Sequence, residues 1–455
     1  MIYNVGSVSK KHVSHIAKLN DKNEILERPT EPNHENDSVE ILNRQKLSSN
    51  LKRKAIDDLY DKPSKLIHRE LSNDVSTLTS YDLTLIRKNM HHARASVIPK
   101  LPNNILDLHN SLKEENIKSN QNEKFLLVND YENNILVFST ITNLKFLGQV
   151  DTIFVDGTFK SCPKLFTQLF TIHGLSNGNY IPLVFFLLID KNVETYKKSF
   201  FHLNSECIKN NINFLPKMLF ADFEKAIHSA ALFVWPSVEL KGCRFHLGQS
   251  WWRKIQALGL SNEYNLNSEI SNYPKIFFGL PFLKPEDVEN CFTDDIVSIL
   301  PQNKKVETFT DYILNTYMTP DCDFPPSLWA MYSGSIIRTT NSCEAFHSKF
   351  NGMFYSAHPN IYKFVDVLKN VQKDTCIKIR SSSQRKKIRR EICEKQEFLR
   401  NQMMKYDVNE ITRFDYTDTN AFNMFNCEAT FISIKKWLMT NWLVCNKDKF
   451  QHCLI

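Results

Sequence analysis

The chain has 455 residues, enough for two or three domains, and 42% of them are hydrophobic, enough to bury a large core. Its 57 Lys and Arg residues against 50 Asp and Glu residues give a formal net charge of +7, which permits nucleic-acid binding without being diagnostic of it. A polar N-terminus, an odd cysteine count of 11 and no apolar run longer than 180–189 argue against a secreted or membrane-spanning protein.

Residues 1–115 differ from the rest of the chain in composition. They are rich in Lys, Asn, Ser and Asp and contain no Cys, Trp or Phe, which predicts a disordered basic arm with weak helical pieces such as 51–60. The arm contains the basic run Lys52, Arg53 and Lys54. Such a run suits binding to a DNA backbone or import into the nucleus, and the alternative is a solvated helix face.

An ordered series of strands and helices follows over 120–258. Apolar runs predict strands at 125–128, 135–138, 152–155, 169–173, 181–189, 217–221 and 238–245, and helical spacing predicts helices at 141–147, 193–210, 224–233 and 248–258. From residue 152 onward this is the order of an RNase H-like α/β fold. In that fold the first and fourth strands are central neighbours, so Asp156 and Asp222 are expected side by side.

The remaining segments are predicted to be helical. Residues 259–335 are rich in proline and contain short helical pieces, which indicates a helical insertion, and 336–380 return to the core with a helix over 340–353. Residues 381–455 form a basic, helical C-terminal region. Its candidate DNA-binding residues are Arg385, Lys386, Lys387, Arg389 and Arg390.

Three carboxylates stand where an ionised acid is costly. Asp156 and Asp222 follow buried apolar runs, and Glu344 lies where a polar loop turns into a helix. Together they predict an oxygen-rich site for two Mg²⁺ or Mn²⁺ ions, which two-metal phosphoryl-transfer enzymes use to activate a water or 3′-hydroxyl and to stabilise the leaving oxygen. Taken singly, Asp156 also fits a turn, Asp222 a helix N-cap and Glu344 a surface helix.

Cys243, His246 and His347 are candidate accessory residues of this site. Cys243 and His246 form a C-x-x-H pair, but a zinc site needs four ligands, so a packed Cys and a hydrogen-bonded His are the favoured interpretation. His347 lies three positions after Glu344, on the same helix face. It fits either assistance at the metal site or a surface or capping role.

Six short motifs occur in a fixed order. They are Asp156-Gly157-Thr158-Phe159, Tyr180-Ile181-Pro182-Leu183, Glu194-Thr195-Tyr196, Ala221-Asp222-Phe223-Glu224-Lys225-Ala226, Cys243-Arg244-Phe245-His246 and Thr340-Asn341-Ser342-Cys343-Glu344-Ala345-Phe346-His347. The series resembles the MULE transposase domain of Mutator-like DNA transposons, over roughly 120–380. The resemblance implies a DDE-type transposase with an RNase H-like core, an insertion before Glu344, and Asp156, Asp222 and Glu344 as metal-binding catalytic acids.

The resemblance also suggests partners and an alternative function. A DDE transposase acts on terminal inverted repeats and a target site in double-stranded DNA, in the nucleus and as a homo-oligomer. Residues 30–35 resemble the tail of a FLYWCH zinc finger and 51–71 its linker, but the cysteine portion of such a finger is missing. The alternative is a domesticated DNA-binding protein without catalytic activity.

Overall fold

The computed structural model describes residues 18–19, 25–27, 38–59, 61–71, 78–261, 268–319, 321–334, 341–384 and 389–425. The chain divides into two compact units, 1–100 and 101–455. Among the described residues, no helix is both long and apolar enough to cross a membrane.

The N-terminal unit contains a two-stranded sheet and three helices. The strands β1 (Lys18–Leu19) and β2 (Ile25–Glu27) are antiparallel, and the helices are α1 (Val39–Asp57), α2 (Pro63–Glu70) and α3 (Ser80–Val97). A small aliphatic core joins the helices, formed by Leu51, Ala55, Leu66, Ile67, Ile86 and Met90. The buried guanidinium of Arg94 donates to the carbonyl oxygens of Ala55, Asp58 and Asp61, which fastens the end of α1. The prediction of a disordered arm is therefore wrong for these helices.

The second unit begins with α4 (Ile105–Glu114) and contains a seven-stranded mixed sheet. Its strands are β3 (Leu126–Asp130), β4 (Ile135–Phe138), β5 (Thr152–Thr158), β6 (Gln168–Ser176), β7 (Asn179–Leu188), β8 (Met218–Ala221) and β9 (Glu239–Gly242). The order across the sheet is β3-β4-β7-β6-β5-β8-β9. The β5–β8 and β8–β9 pairs are parallel, and the other neighbours are antiparallel.

Local sequence explains the main features of this sheet. The β6–β7 hairpin turns at Asn177 and Gly178, whose φ angles of 48° and 79° are the left-handed values that the predicted Asn-Gly turn requires. The strand β7 is a nearly continuous apolar run, and it is buried along most of its length. The helices α5 (Ile141–Leu147), α6 (Val193–Lys209) and α7 (Lys225–Val234) contribute to a core on the sheet.

A second core lies in the helical part of this unit. Its α-helices are α8 (Arg244–Ala257), α9 (Glu269–Ile276), α10 (Pro285–Asn290), α11 (Lys304–Ile313) and α12 (Pro326–Trp329), with 3₁₀ segments at Phe277–Phe282 and Val297–Ile299 and π-helical turns at Cys291–Ile296 and Leu314–Met318. Trp251, Phe277 and Trp329 are buried there.

The described residues end with the helices α13 (Asn341–Gly352), α14 (Ile361–Arg380), α15 (Arg390–Asp407) and α16 (Arg413–Phe425). Leu399 of α15 and Tyr416 of α16 join the helical core. The approach of α16 is so close that a Cβ on Gly279 would lie 1.9 Å from the carbonyl oxygen of Thr417. The segments that the sequence separates into an insertion and a C-terminal region therefore share one core.

Candidate active site

The strands β5 and β8 place Asp156 and Asp222 next to each other. Phe154 pairs with Phe220 in this parallel ladder. Asp156 lies two positions after Phe154, and Asp222 lies two positions after Phe220. Asp156 stands inside β5 and pairs with Thr171, which rules out the turn interpretation. The N-cap position of α7 belongs to Glu224, so Asp222 is not the N-cap residue either. The predicted adjacency of the two acids is thus present in the fold.

His246 connects the third acid to this pair. It lies at the start of α8, and its Nε2 atom is 3.0 Å from Oε1 of Glu344 on α13. It also hydrogen-bonds with Cys243, and its charge acts on both Asp156 and Asp222. All three predicted acids therefore interact with one imidazole, and Glu344 is not a solvated surface residue.

His347 is the partner of Asp156. Its Nδ1 atom lies 3.1 Å from Oδ2 of Asp156, and its Nε2 atom lies 3.0 Å from Oγ1 of Thr171. The hydroxyl oxygen of Thr171 also lies 3.2 Å from the carbonyl oxygen of Asp156, to which it can donate, and 3.1 Å from Nε2 of His173. The order Asp–His–Thr is that of a hydrolase triad, but Thr171 is fully buried and out of reach of a substrate. The chain of hydrogen bonds therefore orients Asp156.

Burial and neighbouring charges separate the pKa values of the two strand acids. Burial would raise the pKa of Asp156, but His347, His246 and the N–H of Gly157 outweigh it and lower that pKa. For Asp222 burial dominates and raises its pKa to about 6, opposed in part by His246. Burial would lower the pKa of His246, but Cys243, Glu344 and Asp156 raise it well above its ordinary value. The site thus combines an ionised acid, a carboxyl poised near neutrality and a cationic imidazole.

The donor chemistry fits a hard divalent cation. Asp156 and Asp222 stand side by side, Glu344 contacts His246, and the buried Oδ1 atom of Asp222 has no hydrogen-bond partner among the described residues. In the described part of the chain, no group of three His, Cys, Asp or Glu side chains is placed so that it could hold a metal ion. The two histidines hold oxygens of Asp156 and Glu344 instead.

A second network beside the acids was not predicted from the sequence. Gln168 Nε2 donates to the hydroxyl of Tyr196 over 2.7 Å, and that hydroxyl donates to Oε1 of Glu224 over 2.8 Å. Lys191 Nζ lies 2.8 Å from the other oxygen of Glu224. The motifs containing Tyr196 and Glu224 were visible in the sequence, but nothing in their spacing indicated that they meet. His228 likewise holds the backbone carbonyl of Asp222, over 2.6 Å.

The predicted DNA-binding residues lie apart from this site in the sequence. Lys52 and Arg53 are exposed on α1, and Lys54 of the same helix pairs with Glu70. Arg389 and Arg390 lie at the start of α15, where Arg390 pairs with Glu394 over 2.7 Å. Arg385, Lys386 and Lys387 lie outside the described residues, as do 30–35.

Part of the chain matches a known protein family, whereas the comparison with curated proteins returned no match. Five of the six motifs, with Asp156, Asp222 and His246, lie within residues 152–250, whereas Glu344 lies beyond them. Residues 152–250 match the family model of the MULE transposase domain, and this confirms the predicted resemblance to the transposases of Mutator-like elements.

Proposed function

We propose that the protein is a DDE-type DNA transposase that cleaves and joins phosphodiester bonds at terminal inverted repeats. The parallel β5–β8 ladder supports this proposal, because it brings Asp156 and Asp222 side by side. Glu344 reaches them through His246. The order β7-β6-β5-β8-β9 is that of the five strands of an RNase H-like core, which we include in the proposal.

Asp156, Asp222 and Glu344 would hold the two divalent cations. When bound, Mg²⁺ or Mn²⁺ supplies Lewis-acid activation of the attacking oxygen and charge stabilisation of the leaving one. His347 fixes the direction of the Asp156 carboxylate, and His246 holds Glu344 close to the other acids.

The partners follow from this activity. Double-stranded DNA with terminal inverted repeats and a target site would be the substrate, the protein would act as a homo-oligomer, and its compartment would be the nucleus. Zinc is not part of the proposal, since His246 contacts Glu344 as well as Cys243.

A cleavage assay tests the acids. The substrate is DNA carrying the inverted repeats that flank the coding sequence, with Mg²⁺ or Mn²⁺ added. Asp156→Asn, Asp222→Asn and Glu344→Gln should each lower the cleavage rate by more than about a hundredfold, since a metal contributes several kcal/mol to such reactions. Asp311→Asn is the matched control, because Asp311 is an exposed carboxylate on α11.

Two outcomes contradict the proposal in different ways. Cleavage that survives all three acid substitutions would remove the acids from the mechanism. DNA binding by the wild-type protein without any cleavage would favour the domesticated DNA-binding alternative. In that case the acid substitutions should leave DNA affinity unchanged or improve it, since they remove negative charge.

A further inference from the structure

Phe159 is an exposed aromatic residue at the edge of the acid site. It directly follows β5 and lies three positions after Asp156, and 45% of its surface is exposed. Other phenylalanines of this sheet, such as Phe154 and Phe170, are fully buried. Phe159 therefore contributes little to the core, and its ring is accessible beside the acids.

The backbone that presents Phe159 is held in place. The N–H of Cys162 donates to the carbonyl oxygen of Phe159 over 3.0 Å, and the N–H of His358 donates to that of Lys160 over 2.9 Å. The His358 ring also lies 3.2 Å from the carbonyl oxygen of Cys162. The Phe159 ring therefore projects from a turn that is hydrogen-bonded to His358, about 200 positions further along the chain.

A fixed cation accompanies the ring. Lys191 Nζ lies 4.8 Å from the centroid of Phe159 and 2.8 Å from Glu224. The buried Gln168 donates to the hydroxyl of Tyr196, which in turn donates to Glu224. These buried side chains therefore fix the position of the Lys191 ammonium group through Glu224. Glu224, the partner of Lys191, lies two positions after Asp222, which places the pair beside the acids.

An exposed aromatic ring with a fixed cation is the combination that binds single-stranded nucleic acid. Every base has a π-face that can stack on an aromatic side chain, and a cation pairs with the phosphate beside it. Lys160, on the same turn as Phe159, and Lys164, on the next turn, are exposed and add positive charge. Lys191 covers part of the ring, so the exposed remainder is the surface available to a base.

We propose that Phe159 and Lys191 form a binding site for an unpaired base of the DNA strand whose phosphate lies at the acids. The identity of the strand rests on the proposed function, whereas the stacking site itself does not require catalysis. The site would favour DNA that is frayed, nicked or forked at the reacting position over a fully paired duplex.

Fluorescence of a stacked base tests this site without catalysis. Forked DNA with 2-aminopurine in its unpaired arm is titrated with the full-length protein in EDTA. The wild-type protein should quench the 2-aminopurine fluorescence. Phe159→Ala should abolish the quenching and weaken binding between about fivefold and a hundredfold, given the usual strength of stacking on an aromatic side chain. Phe159→Trp should retain both.

Phe201 provides the matched control, because it is 47% exposed on α6. The Phe201→Ala protein should quench the 2-aminopurine fluorescence and bind the forked DNA as the wild-type protein does. Lys191→Ala should keep the quenching, weaken binding and reduce the slope of log affinity against log salt by about one. Circular dichroism of every variant checks that the fold is retained.

The outcomes separate this inference from the proposed function. Equal quenching by the wild-type protein and Phe159→Ala, or an equal loss in Phe201→Ala, overturns the inference whatever the cleavage result. Quenching that depends on Phe159 in a protein that never cleaves DNA supports the nucleotide site and overturns the transposase activity.

Discussion

Replacement of Asp222 by Asn is expected to stabilise the metal-free protein at neutral pH. Burial raises the pKa of this carboxyl from its ordinary 3.8 to about 6. Because the folded-state pKa lies above the unfolded-state value, ionisation of Asp222 costs stability as the pH rises from 3.8 through about 6. The gap is worth about 3 kcal/mol near pH 7.5 and about 1 kcal/mol near pH 4.5, since each pH unit corresponds to about 1.4 kcal/mol. Asn keeps the shape and removes this penalty.

Urea unfolding in EDTA at the two pH values measures the effect. Asp222→Asn should gain up to about 3 kcal/mol near pH 7.5 and much less near pH 4.5. Asp311→Asn, on the exposed face of α11, should change little at either pH. Added Mg²⁺ or Mn²⁺ should stabilise the wild-type protein but not the variant. A variant that is less stable than the wild type at both pH values would refute the reasoning.

Two other substitutions test the packing. His347→Ala should cost about 1–3 kcal/mol of unfolding free energy, because it leaves a buried carboxylate oxygen of Asp156 without its hydrogen-bond partner, and less in the Asp156→Asn background. An equal cost in both backgrounds would contradict the pairing. Gly279→Ala should lower the melting temperature by several degrees, since its Cβ would lie 1.9 Å from the carbonyl oxygen of Thr417. Gly352→Ala, whose Cβ meets nothing within 4 Å, should not.

The sequence was most informative about the sheet and the acids on it. Continuous apolar runs bounded by turn residues predict the strands around Asp156 and Asp222 closely, and the predicted helix 141–147 is observed at Ile141–Leu147. The strand around Asp156 extends further than predicted, to Thr158, because the Asp-Gly pair continues the ladder with β6. Asp-Gly is a common turn signal, and only pairing with a neighbouring strand overrides it.

The N-terminal helices were missed for a compositional reason. Their core consists of Leu, Ile, Ala and Met side chains, among them Ala55 and Met90, and none of its described members is aromatic. Such a core leaves a sequence that is polar on average and resembles a disordered segment. Arg94 makes the segment look still more polar, because a charged residue is expected at the surface. In the structure Arg94 is buried and donates a hydrogen bond to α1.

The contacts within the site were beyond sequence reasoning because they join distant positions. His347 and Thr171 are 176 positions apart, and Tyr196 and Glu224 are 28 apart. Helical spacing placed His347 on the face of Glu344, but it gave no sign of its contact with the carboxylate of Asp156. Such pairings depend on the register of the sheet and on the packing of α13, which no local pattern encodes.

The pairing of β5 with β8 has a consequence for the order of folding. The β6–β7 hairpin closes through a short turn, whereas the paired residues Phe154 and Phe220 are 220 − 154 = 66 positions apart. Closing so long a loop is slow compared with forming a hairpin, so we expect the parallel ladder to form after the local strands. A nascent chain then carries its two acids far apart until β8 has docked. The two acids would therefore become neighbours only when the sheet is complete. Partly folded chains would not bind a metal at this position.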